Sequence, residues 1–306
     1  MGDWRLLFLR RDRIRAVTPD DVMRVARAYL KPSNRTVGIF LPDSAPDRAE
    51  MPEAPDVLAM VQDSRGDTAM AAGEDFDPTP TNLDARTTTD ALANGVKLAF
   101  LPKQTRGGTV AVAMVFRVGN EQALSNRGAV PDLTGQMLMR GTVLRSRQEL
   151  RDTIDKLQAQ VGVGGGATQV SGNITVKREN LADALRLAVE VMRQPRFDPA
   201  EFELLKQASL AAIEAQRSEP QMLAIITAQR HASPWPAGHP NYIASIEEQI
   251  ALIKEATIED VRRFYDEFYG GSHGEIAVVG NFDPQEVRAV LSQELAGWES
   301  KSPFRR

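Results

Sequence analysis

The chain has 306 residues, 42% of them hydrophobic and 25% charged, with Gly 22 and Pro 18; this is length for about two domains, and the composition excludes disordered, fibrous and staple-dependent chains. A net charge of −4 provides no basic footprint for nucleic acid and no cationic face for anionic lipid. With no cysteine there is no disulfide, thiolate zinc ligand, iron–sulfur cluster or thiol nucleophile, and the three histidines, His231, His239 and His273, form no pair at helical spacing for zinc.

At the start, the apolar run Leu6–Leu9 is short and no small-residue cleavage site follows it, so neither a signal peptide nor a membrane span is expected. Thr18-Pro-Asp-Asp-Val-Met-Arg24 then sets out a Thr N-cap with an acid three residues on, followed by a helix of about three turns, a polar turn and an apolar strand over Val37–Phe40. The same pattern recurs at Thr257-Ile-Glu-Asp-Val-Arg-Arg263 with four of seven residues identical, and the offset of 239 holds without a gap. Tyr29 falls opposite Phe268, Ser33 opposite Ser272, and Val37–Phe40 opposite Ile276–Val279. An internal repeat of this kind makes residues 1–41 the closing elements of one domain.

From Pro42 to about Leu92 the chain carries Pro42, Pro46, Pro52, Pro55, Pro78 and Pro80 among many acids and reads as a long linker, with one short helix expected over Pro55–Gln62. The boundaries drawn are 42–75 for the Pro- and acid-rich linker, 76–300 for a complete domain and 301–306 for a tail.

In the complete domain, Gly95–Leu101 and Val110–Val118 read as strands joined by a turn. An apolar helix follows Gly128 to about Arg140, and a second runs from about Gln148 to Gln160. Val161–Lys177, rich in Gly and Thr, reads as a strand pair. Leu181, Leu185, Ala188 and Met192 stand at helical spacing, and a further helix enters through Asp198-Pro199 with Phe202, Leu205 and Ala212. After the loop Ser233–Pro240 come helix, helix, strand and a closing helix from Pro284. Hairpin strands with helices between them predict an α+β fold, a mainly antiparallel sheet covered by helices.

Two motifs invite chemistry and lose it on context. Gly270-Gly-Ser-His-Gly274 fits a nucleophile elbow around Ser272, but an elbow needs strand before serine and helix after, and here the order is reversed. Gly162–Ala167 resembles a dinucleotide fingerprint yet follows a helix and leads into a strand, so it reads as a glycine-rich strand. The three histidines read as loop residues.

Arg127–Thr142, followed by Ser146-Arg-Gln-Glu-Leu150, Gln194–Phe202, His239-Pro-Asn-Tyr, Ile258–Tyr265 and Ala277–Pro284, resembles the insulinase or pitrilysin-type zinc peptidases, which include the processing peptidases. The likeness covers about 76–300, with 1–41 similar to the tail of a preceding unit. That family works through an H-x-x-E-H helix, in which two histidines hold zinc, the glutamate activates its water and a downstream glutamate completes the site. Counted back from Gly141-Thr142, the first histidine position holds Asp132, the glutamate position Gly135 and the second histidine position Gln136; the downstream glutamate falls at Ala212 or, with a shift, at Glu214. The resemblance therefore implies a degenerate, noncatalytic domain without catalytic residues, metal or cofactor of its own. Zinc is expected in an active domain upstream or in a homologous subunit, with which this unit would enclose peptide substrate. It further suggests a bacterial envelope protein. The competing implication is a scaffold or interaction domain of the same fold without any proteolytic role.

Overall fold

The computed structural model describes residues 5–38, 72–302, 304 and 305. The chain divides into two units, Met1–Ala69 and Met70–Arg306. The short helix expected over Pro55–Gln62 and the second half of the strand expected over Val37–Phe40 lie outside the described residues, and Val37 and Gly38 are not part of a strand.

In the first unit, α1 spans Arg5–Arg15 and α2 spans Pro19–Tyr29. The capping box read at Thr18 forms. The Asp21 amide donates to Thr18 Oγ1 at 3.2 Å, and the Thr18 amide donates back to Asp21 Oδ2 at 3.1 Å, so two otherwise orphan donors of the first turn are satisfied. Asn34 ties off the C-terminal end through Nδ2, which donates to the Tyr29 carbonyl at 3.0 Å. No residue of α2 is buried, and Val22, Val25 and Tyr29 are exposed along it.

The second unit opens with α3 (Pro80–Arg86) and β1 (Thr88–Ala91), two elements inside the stretch read as linker. Local polarity conceals them, because what orders this segment is charge. Glu74 pairs with Arg86 and accepts from the Gln104 amide at 3.1 Å, while Lys103 Nζ sits 3.9 Å from the ring centre of Phe76.

There follow β2 (Lys97–Pro102), β3 (Thr109–Arg117), α4 (Glu121–Leu124), α5 (Val130–Met137), α6 (Arg147–Lys156), β4 (Gln160–Gly165) and β5 (Gln169–Lys177). The rest is α7 (Leu181–Arg193), α8 (Pro199–Gln216), α9 (Pro220–Ala232), α10 (Ile246–Glu255), α11 (Ile258–Phe268), β6 (Gly274–Gly280) and α12 (Pro284–Glu294). Helix α9 goes beyond the sequence reading, which left Pro220 without a helix after it.

One six-stranded sheet runs β1-β2-β6-β3-β5-β4. Four of its pairings are antiparallel, and β2 with β6 is parallel, Leu98 opposite Ile276 and Phe100 opposite Val278. This is the α+β, mainly antiparallel architecture expected.

Burial alternates along the strands with the two-residue period of a half-covered sheet. Val110, Val112, Met114 and Phe116 of β3 are buried, as are Val170, Ile174 and Val176 of β5 and Ile276 and Val278 of β6. On this face lie α7, whose Leu185, Ala188, Val191 and Met192 are fully enclosed, and α11, with Val261, Phe264 and Phe268. The opposite face carries Ala111, Ala113, Asn173, Thr175, Glu275 and Ala277, exposed small and polar residues.

Candidate functional site

Helix α5 carries the positions that the resemblance singles out. Pro131 stands in its first turn, where a missing N–H costs nothing, and the helix closes through a tight turn over Leu138–Arg140. Beyond it the Gly141-Thr142 landmark is pinned. Thr142, wholly buried, donates through Oγ1 to Glu190 Oε1 at 2.6 Å, and Arg145 pairs with the same carboxylate. Leu133, Thr134 and Met137 face the core, leaving Asp132 and Gln136, one turn apart, on the open side of the helix.

That open side forms one wall of a cavity of about 1100 Å³. Asp132 and Gln136 line it, joined by Ser209, Ala212 and Ile213 of α8, Leu252 and Glu255 of α10, and Asp260, Arg263 and Phe264 of α11. The two readings of the downstream position thus part company. Ala212 faces the cavity, whereas Glu214 is outside its lining and holds Arg217 at 2.9 Å.

Gly135 sits on the other side of the helix, against β4. A Cβ built there would stand 2.2 Å from the Gly165 carbonyl oxygen and 2.4 Å from its nitrogen, so backbone meets backbone and no side chain fits without moving one element. The glycine that the resemblance sets at the glutamate position is therefore also the packing contact between helix and sheet. The glycine-rich segment Gly162–Ala167 has its own account here, as a strand whose residue 165 must lie this close to α5.

The electrostatics of the wall are uneven. Asp132 is open to the cavity, yet burial by the surrounding walls raises its carboxyl above the usual range, and no hydrogen bond or charge offsets this. Tyr269, just past α11, is 3% exposed, and its hydroxyl is buried with no hydrogen-bond partner. Burial, followed by neighbouring Tyr265 and then the negative charge of Asp132, pushes the phenol well above its ordinary value. Glu248, at the start of α10, shows the reverse. It accepts from the Ser245 amide at 2.7 Å, from Arg230 at 3.0 Å and from the Tyr242 hydroxyl, which lowers its pKa to about 2, the Ser245 amide first among the causes.

This donor set does not fit zinc. One carboxylate, one neutral amide and a methyl group at Asp132, Gln136 and Ala212 give a single anionic ligand, and Gly135 can take no proton from a bound water. Among the described residues no group of three His, Cys, Asp or Glu side chains is placed to hold a metal ion. The histidines are spread apart. His239 stacks on Trp235 with ring centres 4.0 Å apart and accepts at Nδ1 from the Asn241 amide, His273 packs edge-on against Phe304, and His231 stands in the last turn of α9. Ser272 lies in the turn from α11 into β6, the order opposite to an elbow. Among the described residues no helix is long and apolar enough to cross a membrane.

Sequence reasoning missed two members of this site. Tyr269 carries no motif, and Gly165 is marked only by its glycine-rich setting; their meeting depends on tertiary packing between segments far apart in the chain.

Comparison with known proteins follows the same lines. Residues 255–306 match a family model described as the peptidase M16 inactive domain. No curated protein matches the chain. Among solved structures, the fold is similar to a peptidase M16 inactive domain from Pseudomonas fluorescens, at 21% identity and a TM-score of 0.62 over 72% of this chain and 52% of that one. A protease from Helicobacter pylori superposes at 16% identity and a TM-score of 0.60, over 72% of this chain and 52% of that one. A conserved protein from Enterococcus faecalis V583 does so at 16% identity and a TM-score of 0.55, over 72% and 54%. The chain thus spans about half the length of the structures it matches. The closing segment thus matches the M16 inactive-domain model, and the fold is similar to that of a solved M16 inactive domain.

Proposed function

We propose that the second unit is a noncatalytic wall of a peptide-holding chamber, which docks on an active peptidase domain in the same chain or in a homologous subunit, where the zinc resides. The observation that carries this reading is Gly135 packed on Gly165 in a helix whose open side lines a large cavity. The helix keeps its place at the cavity wall while its catalytic position is sealed against the sheet. Residues 1–41 are read as the tail of a preceding domain of the same kind. In support, Thr18 and Thr257 cap their helices alike, Oγ1 donating to Asp21 Oδ2 at 2.7 Å and to Asp260 Oδ2 at 2.6 Å. Val22, Val25 and Tyr29 are exposed where their counterparts Val261, Phe264 and Phe268 are core.

The test combines two measurements on this chain: peptidase activity with added zinc, with bound metal determined by elemental analysis, and the affinity of a short peptide library. Peptide binding without turnover and without stoichiometric zinc is expected. Real turnover or stoichiometric zinc overturns the noncatalytic reading, and failure to bind any peptide favours a scaffold domain.

A further inference from the structure

The loop of residues 233–245, between α9 and α10, forms part of the cavity wall, which Gly238, His239, Pro240 and Tyr242 help to line. Little apolar burial holds it, since residues 233–237 and Asn241 are exposed. Its fixings are mainly polar. The Asn126 amide, in the turn after α4, donates to the Gly238 carbonyl at 2.7 Å, and the Tyr242 amide donates to the His239 carbonyl at 2.9 Å. At the centre stands the His239 imidazole, its side chain 9% exposed.

The groups around that ring fix where its proton lies. Nδ1 accepts from the Asn241 amide at 3.0 Å, and an amide N–H can only donate, so Nδ1 carries no hydrogen. The hydrogen of the neutral ring is therefore on Nε2, 3.4 Å from Glu121 Oε1 of α4. One face of the ring lies on Trp235, with centres 4.0 Å and planes 5° apart. A second proton would set an N–H at Nδ1 against the Asn241 N–H, and two donors cannot share that contact. Glu121 and the Trp235 face both favour a cationic ring, and Asp132 and Glu255, which line the same cavity, act in the same sense. The remaining charged groups nearby are engaged elsewhere: Arg127 by Glu267, Arg263 by Asp260, and Arg230 by Glu248 and Tyr242. The turn over residues 239–242 and the cationic ring thus exclude each other, while the other surroundings of His239 favour the cation.

We propose that this loop is a pH-sensitive clasp on the cavity wall, closed while His239 is neutral and released when its imidazole takes up a proton. Release frees the Asn241 amide and the turn that follows His239, so the wall supplied by Pro240 and Tyr242 changes shape. The clasp works in the same way whatever the cavity holds.

NMR of the whole chain, labelled with nitrogen-15, tests it between about pH 8 and pH 5, the range over which imidazoles change charge. At the upper end the His239 ring should show a hydrogen on Nε2 and a bare Nδ1. As the pH falls, the Asn241 amide should titrate together with the ring. Its protection against hydrogen exchange, corrected for the intrinsic effect of pH, should drop about ten-fold, the scale of one hydrogen bond. His239→Gln, which does not titrate, should abolish the change, and His231→Gln, at an exposed position, should preserve it. A hydrogen on Nδ1 of the neutral ring overturns the clasp, as does an Asn241 amide unmoved by pH. A transition that survives in His239→Gln belongs to another group and overturns it equally. The wild-type measurements decide the matter even if that variant folds poorly.

Discussion

Adding one methyl group at Gly135 should make the second unit easier to unfold, although alanine is much the better helix former. Intrinsic propensity favours Ala over Gly inside a helix by about 1 kcal/mol. Against that, the new Cβ would lie 2.2 Å from the Gly165 oxygen, 2.4 Å from its nitrogen and 2.5 Å from its carbonyl carbon, where ordinary contact begins at 3.4 Å. All three are backbone atoms of β4, which is held along its length by β5, so no side chain can swing aside. Either α5 or the strand must retreat by roughly 1 Å, and overpacking of this kind costs about 1–3 kcal/mol, with rigid backbone on both sides placing it at the upper end. The net loss expected is about 2 kcal/mol, read as a fall of about 4–8 °C in Tm for a unit of this size. Gly162→Ala is the control, since nothing lies within 4 Å of its would-be Cβ on the same strand. Urea and thermal unfolding of the two variants beside the parent would decide it. A Gly135→Ala protein as stable as the parent would refute the packing argument.

The other predictions use the same measurements. The triple variant Asp132→His, Gly135→Glu, Gln136→His restores the H-x-x-E-H pattern on paper and should still give no peptidase and a less stable unit, because glutamate cannot be seated against Gly165; recovered turnover with stoichiometric zinc would contradict this. Tyr269→Phe removes a buried hydroxyl with no partner and should be neutral or stabilising by up to about 1 kcal/mol, whereas a clear loss would mean that the hydroxyl is satisfied. Phe268→Ala, at a fully enclosed position, should cost about 3–5 kcal/mol, while Tyr29→Ala at the corresponding place in α2, 66% exposed, should stay within about 0.5 kcal/mol; comparable losses would show Tyr29 to be packed. Glu248, held down to about 2 from an ordinary 4.5, contributes stability that is fully present above pH 4.5 and lost as pH falls towards 2. Being half exposed, it should supply under about 1 kcal/mol, and the stability gap between parent and Glu248→Gln should narrow over that range; parallel pH profiles would count against the network.

Much of this architecture is legible in local sequence because its signals are short-range. Thr257 with Asp260 is a capping box and starts its helix where expected, and Ser146 with Glu149 is another, starting its helix one residue before the Gln148 expected. The alternation of Val110, Val112, Met114 and Phe116 likewise fixes which face of β3 is core. What escapes notice depends on distant partners. The four residues of β1 are exposed and form a strand because Leu98 and Lys97 pair with Asp90 and Ala91. Helix α9 buries none of its residues, so its apolar content has no single-face period to announce it. The parallel pairing of β2 with β6 joins segments from opposite ends of the unit, and no local pattern encodes it.

The candidate site divides along the same line. The residue types at 132, 135 and 136 can be read from the chain, and set against the H-x-x-E-H pattern of the resemblance they supply none of its histidines or its glutamate. Why position 135 has no room for a side chain cannot be read there, because it depends on Gly165 arriving from a strand some thirty residues later in contact with Gly135. A glutamate and its ligand histidines need a helix that stands off its neighbour far enough to carry side chains on both flanks. Once helix and strand close to glycine–glycine distance, the flank facing the sheet becomes packing and only the flank facing the cavity keeps polar groups. Asp132 and Gln136 stand on that second flank, exposed along the cavity wall.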